Sequence, residues 1–429
     1  MMMNEDDIRM KDRIYGCMVG GAAGDALGYP VEFKPYLEII GRYGINGITR
    51  YQLDENGVAE ISDDTQMTLF TASGCLLGMT RYYTRGIMGN LSSYSVETYR
   101  NWLYTQTHSY EQFNKNVPCH TWLMRVPGLY SCRAPGNTCL EALKEIRAGY
   151  EPSNNSCGCG GVMRVAPLTL LAVRHDYADG VAERIAVESA EVARITHRHP
   201  LGFLPAAALS LILNDILGGS VTDRKTMLGS VTVAARRLGK LVSQQDDGRT
   251  YAELWPEDVV RMSGMLVEAG RLAGSASSDL KCIIRIGEGW TGHEALAIAL
   301  FCAIRHFDSF EDAVVAAVNH NGDSDSTGSI CGQIMGAIHG RSAIPSCYTD
   351  HLEILDVIEE MADDLYSGCE ISEYGSYDSP EKVRWLWVYV YNNYWEPKQK
   401  MLSRIADGSL FRQFGMNPAN IFRQFAQRD

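Results

Sequence analysis

The sequence predicts an all-α fold, a single large helical bundle, and three observations predict it. Apolar residues recur at i, i+3, i+4 and i+7 in segment after segment, the spacing of one helix face. Alternating strand patterns are scarce. Serine, aspartate and asparagine, the residues that cap helices, stand directly ahead of several of the apolar runs.

In chain order, Gly16-Cys17-Met18-Val19-Gly20-Gly21-Ala22-Ala23-Gly24-Asp25-Ala26-Leu27-Gly28 is dominated by small residues, which permits very close helix packing, and Glu32 follows a turn containing Pro30. No strand precedes this segment, and its spacing is wrong for a dinucleotide fingerprint. Ile61-Ser62-Asp63-Asp64-Thr65 opens the next helical pattern. The glycine-rich run Asn154-Asn155-Ser156-Cys157-Gly158-Cys159-Gly160-Gly161-Val162-Met163-Arg164 leads into a helix expected over Val162–Val173. Helices are expected over Ala182–Ile195 and Leu204–Leu217, the second apolar nearly all round as befits a central helix. The stretch from about 230 to 290 reads as the least regular part. Gly292–Phe307 is the clearest helix, with Ala295, Leu296, Ala299, Leu300, Ala303, Ile304 and Phe307 on one face, and Phe310–Val318 continues the theme. Asn321-Gly322-Asp323-Ser324-Asp325-Ser326-Thr327 precedes the run Ile330–His339, and Trp385–Tyr391 reads as a buried helical turn in preference to a strand.

The polar breaks at Ser153–Gly161, Gln244–Thr250 and Gly274–Ser278 are too short for interdomain linkers. The expected organisation is therefore one domain over residues 8–345, with 346–429 as a helical extension packed on it. The net charge of −13, from 39 basic and 52 acidic residues, argues against nucleic acid or an anionic membrane as partner. No stretch reads as the roughly 18 apolar residues of a membrane span. The polar, acidic start lacks the marks of a signal peptide, and twelve scattered cysteines suit reduced thiols. A cytoplasmic location is expected.

The chemistry lies in the two acidic clusters, some 260 residues apart. A cap needs one acceptor, and each cluster offers several carboxylates and hydroxyls. Brought together, four carboxylates would repel unless a cation lay between them, and an oxygen-only set suits a hard divalent ion. The glycine-rich loop suits an anion cradle ahead of a helix. Cys157-x-Cys159 with His197-x-His199 has an uncommon spacing for structural zinc. A Gly-x-Ser-x-Gly elbow is missing, and Met67 stands where the Asp-Asp-x-x-Asp signature of a prenyl-diphosphate enzyme needs an acid.

In five ordered blocks the chain resembles the ADP-ribosylglycohydrolase family, which includes the dinitrogenase reductase-activating glycohydrolases and the ADP-ribosyl-acceptor hydrolases. The blocks are Gly24–Gly28 followed by Glu32, Ser62–Thr65, Gly160–Val165, Thr196-His197 and Gly322–Ser326. The resemblance implies an orthogonal helical bundle with a binuclear cleft for two Mg²⁺ or Mn²⁺ ions. It puts metal ligands at Ser62, Asp63, Asp64, Asp323, Asp325 and a hydroxyl at Ser326, with Thr327 beside it. It gives catalytic roles to Glu32 and Asp64, and ADP-ribose contacts to Cys157, Gly158, Cys159, Gly160, Gly161, Met163, Arg164 and His197. The implied reaction is hydrolysis of the bond between ADP-ribose and an acceptor on a protein or small molecule, arginine being favoured by the Ser62-Asp63-Asp64 form. Serine-linked ADP-ribose and poly(ADP-ribose) are the other acceptors, and a catalytically silent ADP-ribose-binding or structural relative is the non-enzymatic alternative. Trp122 and Tyr130 are among the aromatics available to adenine.

Overall fold

The computed structural model describes residues 4–391, apart from 87–88, 115, 176–178 and 372–378. The expected extension's last part, 392–429, lies outside the described residues. Within them there are seventeen α-helices and no strand. They are α1 Glu5–Gly28, α2 Tyr36–Tyr43, α3 Asp63–Arg85, α4 Leu91–Thr107, α5 Asn137–Arg147, α6 Ala166–His175, α7 Val181–Arg194, α8 Pro200–Leu217 and α9 Arg224–Leu238. After them come α10 Tyr251–Leu254, α11 Pro256–Ala273, α12 Asp279–Ile286, α13 Gly292–Arg305, α14 Phe310–Val318, α15 Ser324–His339, α16 Leu355–Ser367 and α17 Pro380–Trp385. A π-helical turn, Leu386–Tyr391, continues α17, so this aromatic run is helical as expected.

The centre of the molecule is an antiparallel seam between α1 and α15. Gly16, Gly20 and Gly24 lie against Gly336, Gly332 and Gly328, and a Cβ on any of the six would fall within 3.0 Å of the opposite backbone. Only glycine lets two backbones approach this closely. The seam runs with the end of α1 beside the start of α15, so Gly28 meets Ser324 and Asp325. Its register thus places the second acidic cluster at the exit of α1, where Glu32 lies.

The seam gives a paired test. Gly332→Ala should lower stability by about 1–3 kcal/mol or more through overpacking. Gly264→Ala, at a helical site with open space around it, should raise it by about 0.4–1 kcal/mol. Thermal melts of the two variants should move in opposite directions, and equal shifts would refute the close-packing account.

Three expectations change. The stretch from 230 to 290 is largely helical, filled by α9 to α12, because its apolar faces are narrow but sufficient: Met262, Leu266 and Ala269 of α11 are buried. The helix after the glycine loop starts at Ala166, not Val162, since a short 3₁₀ turn over Cys159–Gly161 comes first. Finally, α8 does reach the length and hydropathy of a membrane span, 18 residues at a mean hydropathy of 1.6, yet 83% of it is buried within the protein. It packs against α6, α7, α9 and α13 as a core helix. Beyond residue 345, α16 packs on α1, α3 and α6, and the Trp385 indole donates to Thr80 Oγ1 of α3 at 2.9 Å.

Candidate active site

Both acidic clusters begin as helix caps. Ser62 Oγ accepts from the Asp64 amide at 3.2 Å at the start of α3, and Asp323 Oδ1 accepts from the Ser326 amide at 3.2 Å at the start of α15. The capping role therefore exists, and the Ser326 amide is shared with Asp325 Oδ1 at 3.0 Å, but each cluster offers more oxygens than its cap engages. The two clusters meet: Ser326 Oγ donates to Asp64 Oδ1 at 3.3 Å across 262 residues. Of the two adjacent hydroxyls, Ser326 thus faces the other cluster. Thr327 is turned inward, its Oγ1 donating to the carbonyls of Ala317 at 2.7 Å and Asp323 at 2.8 Å. Glu32 is carried to the same place by the turn after α1, which is fastened by the Phe33 amide donating to Gly322 O at 3.0 Å.

The electrostatics are those of negative charge with little compensation: the nearby Arg164 charge acts on Asp63 alone among these carboxylates, and burial outweighs it. Burial pushes the Glu32 carboxyl up to about 9, with repulsion from Asp323, Asp63 and Asp25 adding to it. Asp63 is pushed up to about 8, again by burial first, with a Gly136 amide hydrogen bond opposing and Asp25 and Asp323 reinforcing. Asp64 and Asp325 are driven well above the carboxylate range by burial and by neighbouring aspartates, and burial raises Asp323 as well. Among the described residues, no lysine or arginine forms an ion pair with any of these five. Two like charges 4 Å apart repel by about 4 kcal/mol at an effective dielectric of 20, so the cluster must hold protons or a cation.

The donor set fits a hard divalent ion. Its atoms are carboxylate and hydroxyl oxygens, and Asp64 Oδ2 is buried with no hydrogen-bond partner, which costs free energy unless something occupies it. Among the described residues, no group of three histidine, cysteine, aspartate or glutamate side chains is already closed to ligating geometry.

One residue of the site escaped the sequence reading. Asp25 of α1 is fully buried and accepts from the Ser62 and Thr65 amides at 3.1 Å each, and from Thr65 Oγ1. It ties the start of α3 to α1 and so fixes where Asp63 and Asp64 stand. A lone aspartate in the small, apolar second half of α1, from Gly16 to Gly28, was the available signal.

The glycine loop departs from the expected anion cradle. Its amides are substantially engaged within the protein: Gly158 N bonds Ser156 Oγ at 3.3 Å, Cys159 N bonds Trp290 O at 3.2 Å, and Val162 N bonds Cys159 O at 2.9 Å. Gly158 and Gly160 are small because the His197 ring packs against them, and Gly161 because Gly202 O does. Cys157 O accepts from Gly292 N at 2.8 Å, and Met163 O accepts from Gln333 Nε2 at 2.6 Å. The loop is therefore clamped between α8, α13 and α15.

Arg164 is fully buried and turned away from the carboxylates, toward Thr196 and Tyr99. It donates to Thr196 Oγ1 at 2.6 Å and lies 4.7 Å from the Tyr99 ring centre. His197 is buried too, with Nδ1 2.9 Å from Thr196 Oγ1; burial, with Arg164 nearby, holds it down to about 3, so the ring is neutral. Both residues support the loop from behind. Trp122 is buried as well, whereas Phe33 and Trp290 are exposed beside Glu32 and Cys159 and stack at 4.7 Å.

Comparison with known proteins agrees with the all-helical fold. A sequence model described as ADP-ribosylglycohydrolase matches residues 6–374. The chain is similar to an uncharacterized protein of Archaeoglobus fulgidus, at 26% identity over 83% of this chain and 97% of that protein. It is similar to the ADP-ribosyl-[dinitrogen reductase] glycohydrolase of Rhodospirillum rubrum, at 25% identity over 80% and 91%. It is also similar to human ADP-ribosylhydrolase ARH3, at 20% identity over 83% and 94%. Among solved structures it resembles a chain titled ADP-ribosylglycohydrolase-related protein complex, with a TM-score of 0.52 at 22% identity, covering 84% of this chain and 98% of that one. The chain belongs to the ADP-ribosylglycohydrolase family.

Proposed function

We propose that this protein is a divalent metal-dependent hydrolase that releases ADP-ribose from an acceptor, with N-linked arginine as the preferred linkage. The observation that carries the reading is the meeting of Glu32, Asp63, Asp64, Asp323 and Asp325 from three distant segments, without a basic ion-pair partner among the described residues and with one buried oxygen unbonded. Asp63, Asp64, Asp323 and Asp325, with Ser62 and Ser326, would hold the cations. A pair of Mg²⁺ or Mn²⁺ ions would supply positive charge to orient the ribose hydroxyls and to acidify a water.

The chain's own residues do the rest. Glu32 or Asp64 accepts the proton of the water whose oxygen bonds to the anomeric carbon. The bond from that carbon to the acceptor nitrogen breaks, and the leaving guanidine takes a proton. The segment Cys157–Gly161 with Met163 lies along the diphosphate, and Arg164 and His197 keep it in place. The Ser62-Asp63-Asp64 form supports arginine, as does similarity at 24% identity to a protein named ADP-ribosylarginine hydrolase Tri1 from Serratia proteamaculans.

The test incubates purified protein and Mg²⁺ with ADP-ribosyl-arginine, ADP-ribosyl-serine and poly(ADP-ribose), and measures free ADP-ribose. Release from the arginine conjugate above all is expected. Release chiefly from serine or polymer overturns the linkage preference, and release from none overturns the activity.

A further inference from the structure

A sulfur atom lies within this oxygen cluster. Cys159, on the 3₁₀ turn after the glycine loop, donates from Sγ to Asp323 Oδ2 at 2.9 Å, and Ser326 and Asp64 are among its neighbours. The turn is held in place by the Cys159 amide on Trp290 O, so the thiol is aimed inward by the backbone. Asp64, 2% exposed, joins the same cluster through Ser326 Oγ on its Oδ1, and its Oδ2 is buried without a hydrogen-bond partner.

We propose that Cys159 is a metal donor at this site, so that the centre also binds a thiophilic divalent ion, Cd²⁺ or Zn²⁺, through one thiolate together with the Asp323 carboxylate. The inference rests on the reading of the acidic cluster as a cation site. On binding, the S–H bond breaks, an S–metal bond forms, and the proton leaves to solvent. The geometry requires little movement. Metal–sulfur and metal–oxygen lengths of about 2.3 and 2.1 Å at a tetrahedral angle separate the two donor atoms by about 3.6 Å. The present hydrogen bond would therefore open by about 0.7 Å. Soft thiolate ligands select such ions over Mg²⁺, which prefers oxygen throughout. Of the other cysteines nearby, Cys139 is buried behind Gly160 with its sulfur accepting from the Arg164 guanidinium at 3.4 Å, and Cys132 is exposed.

The experiment titrates the metal-free full chain with Cd²⁺ and follows the ultraviolet thiolate-to-cadmium charge-transfer band, with the ¹¹³Cd resonance as a second reading on the unaltered protein. The expected result is a saturable band with one thiolate per chain and a resonance downfield of an all-oxygen site. The band should be lost in Cys159→Ser and kept in Cys132→Ser. Calorimetric Cd²⁺ binding without the band or the downfield resonance overturns the Cys159 assignment while leaving the oxygen site standing. A band that survives in Cys159→Ser also overturns it. Failure to bind Cd²⁺, Mg²⁺ or Mn²⁺ at all overturns the cation reading itself.

Discussion

Replacing Asp63 and Asp323 together with asparagine should reduce ADP-ribose release by at least about a hundredfold, the usual cost of removing preorganised charge from a reacting centre, while leaving the helical fold intact. The two aspartates come from different ends of the chain, and each repels the other in the metal-free site. Asparagine keeps their shape and removes the charge that a cation needs. It also removes repulsion that the fold bears with little compensation, so the double variant without metal should melt no lower than the parent and higher at alkaline pH. Circular dichroism melts beside the ADP-ribose assay separate the two effects. Normal turnover in the double variant would dismiss the metal assignment. Lost turnover with a collapsed melt would mean that the carboxylates are structural.

How much of this was legible in the residues follows from the range of each signal. Helices whose apolar face repeats regularly, such as Gly292–Arg305 and Phe310–Val318, were readable because helix periodicity is local. The pairing of α1 with α15 was half readable: the run of small residues announced a close partner, but its identity depends on contacts across some 300 residues that no local pattern encodes. The carboxylates of the site were readable because their number exceeds what caps require. Asp25 was not, since a single acid in the apolar second half of α1 gives no count to reason from, and its role appears only when α3 is placed above it. The glycine loop was only half legible for a related reason. Glycine can signal open backbone amides or tight packing, and Gly158, Gly160 and Gly161 serve the second purpose against His197 and Gly202. For Arg164 the resemblance implied a contact to ADP-ribose. Here its guanidinium lies over Tyr99 in the interior.

The metal-free protein should lose stability as pH rises from about 6 to about 8.5, and Mg²⁺ should remove most of that loss. Glu32 and Asp63 are held up to about 9 and about 8 in the folded chain, whereas an unfolded chain releases these protons near pH 4. The folded state therefore binds more protons across this window, and stability falls with pH. The contribution is fully present below the unfolded values and is lost as pH passes through the folded ones. A loss of about 2 kcal/mol would lower the melting temperature by about 2 °C. A cation bound only by the folded chain acts in the opposite sense, by about 2.7 kcal/mol at 100 times its Kd. It also takes the place of the protons, so the melting temperature should become nearly independent of pH over the same range. In the Asp63→Asn, Asp323→Asn variant both the metal-free slope and the Mg²⁺ response should shrink together, because one set of carboxylates produces both. A flat metal-free profile would contradict the buried repulsion, and a steep profile that Mg²⁺ leaves unchanged would show that these carboxylates trade protons with solvent alone.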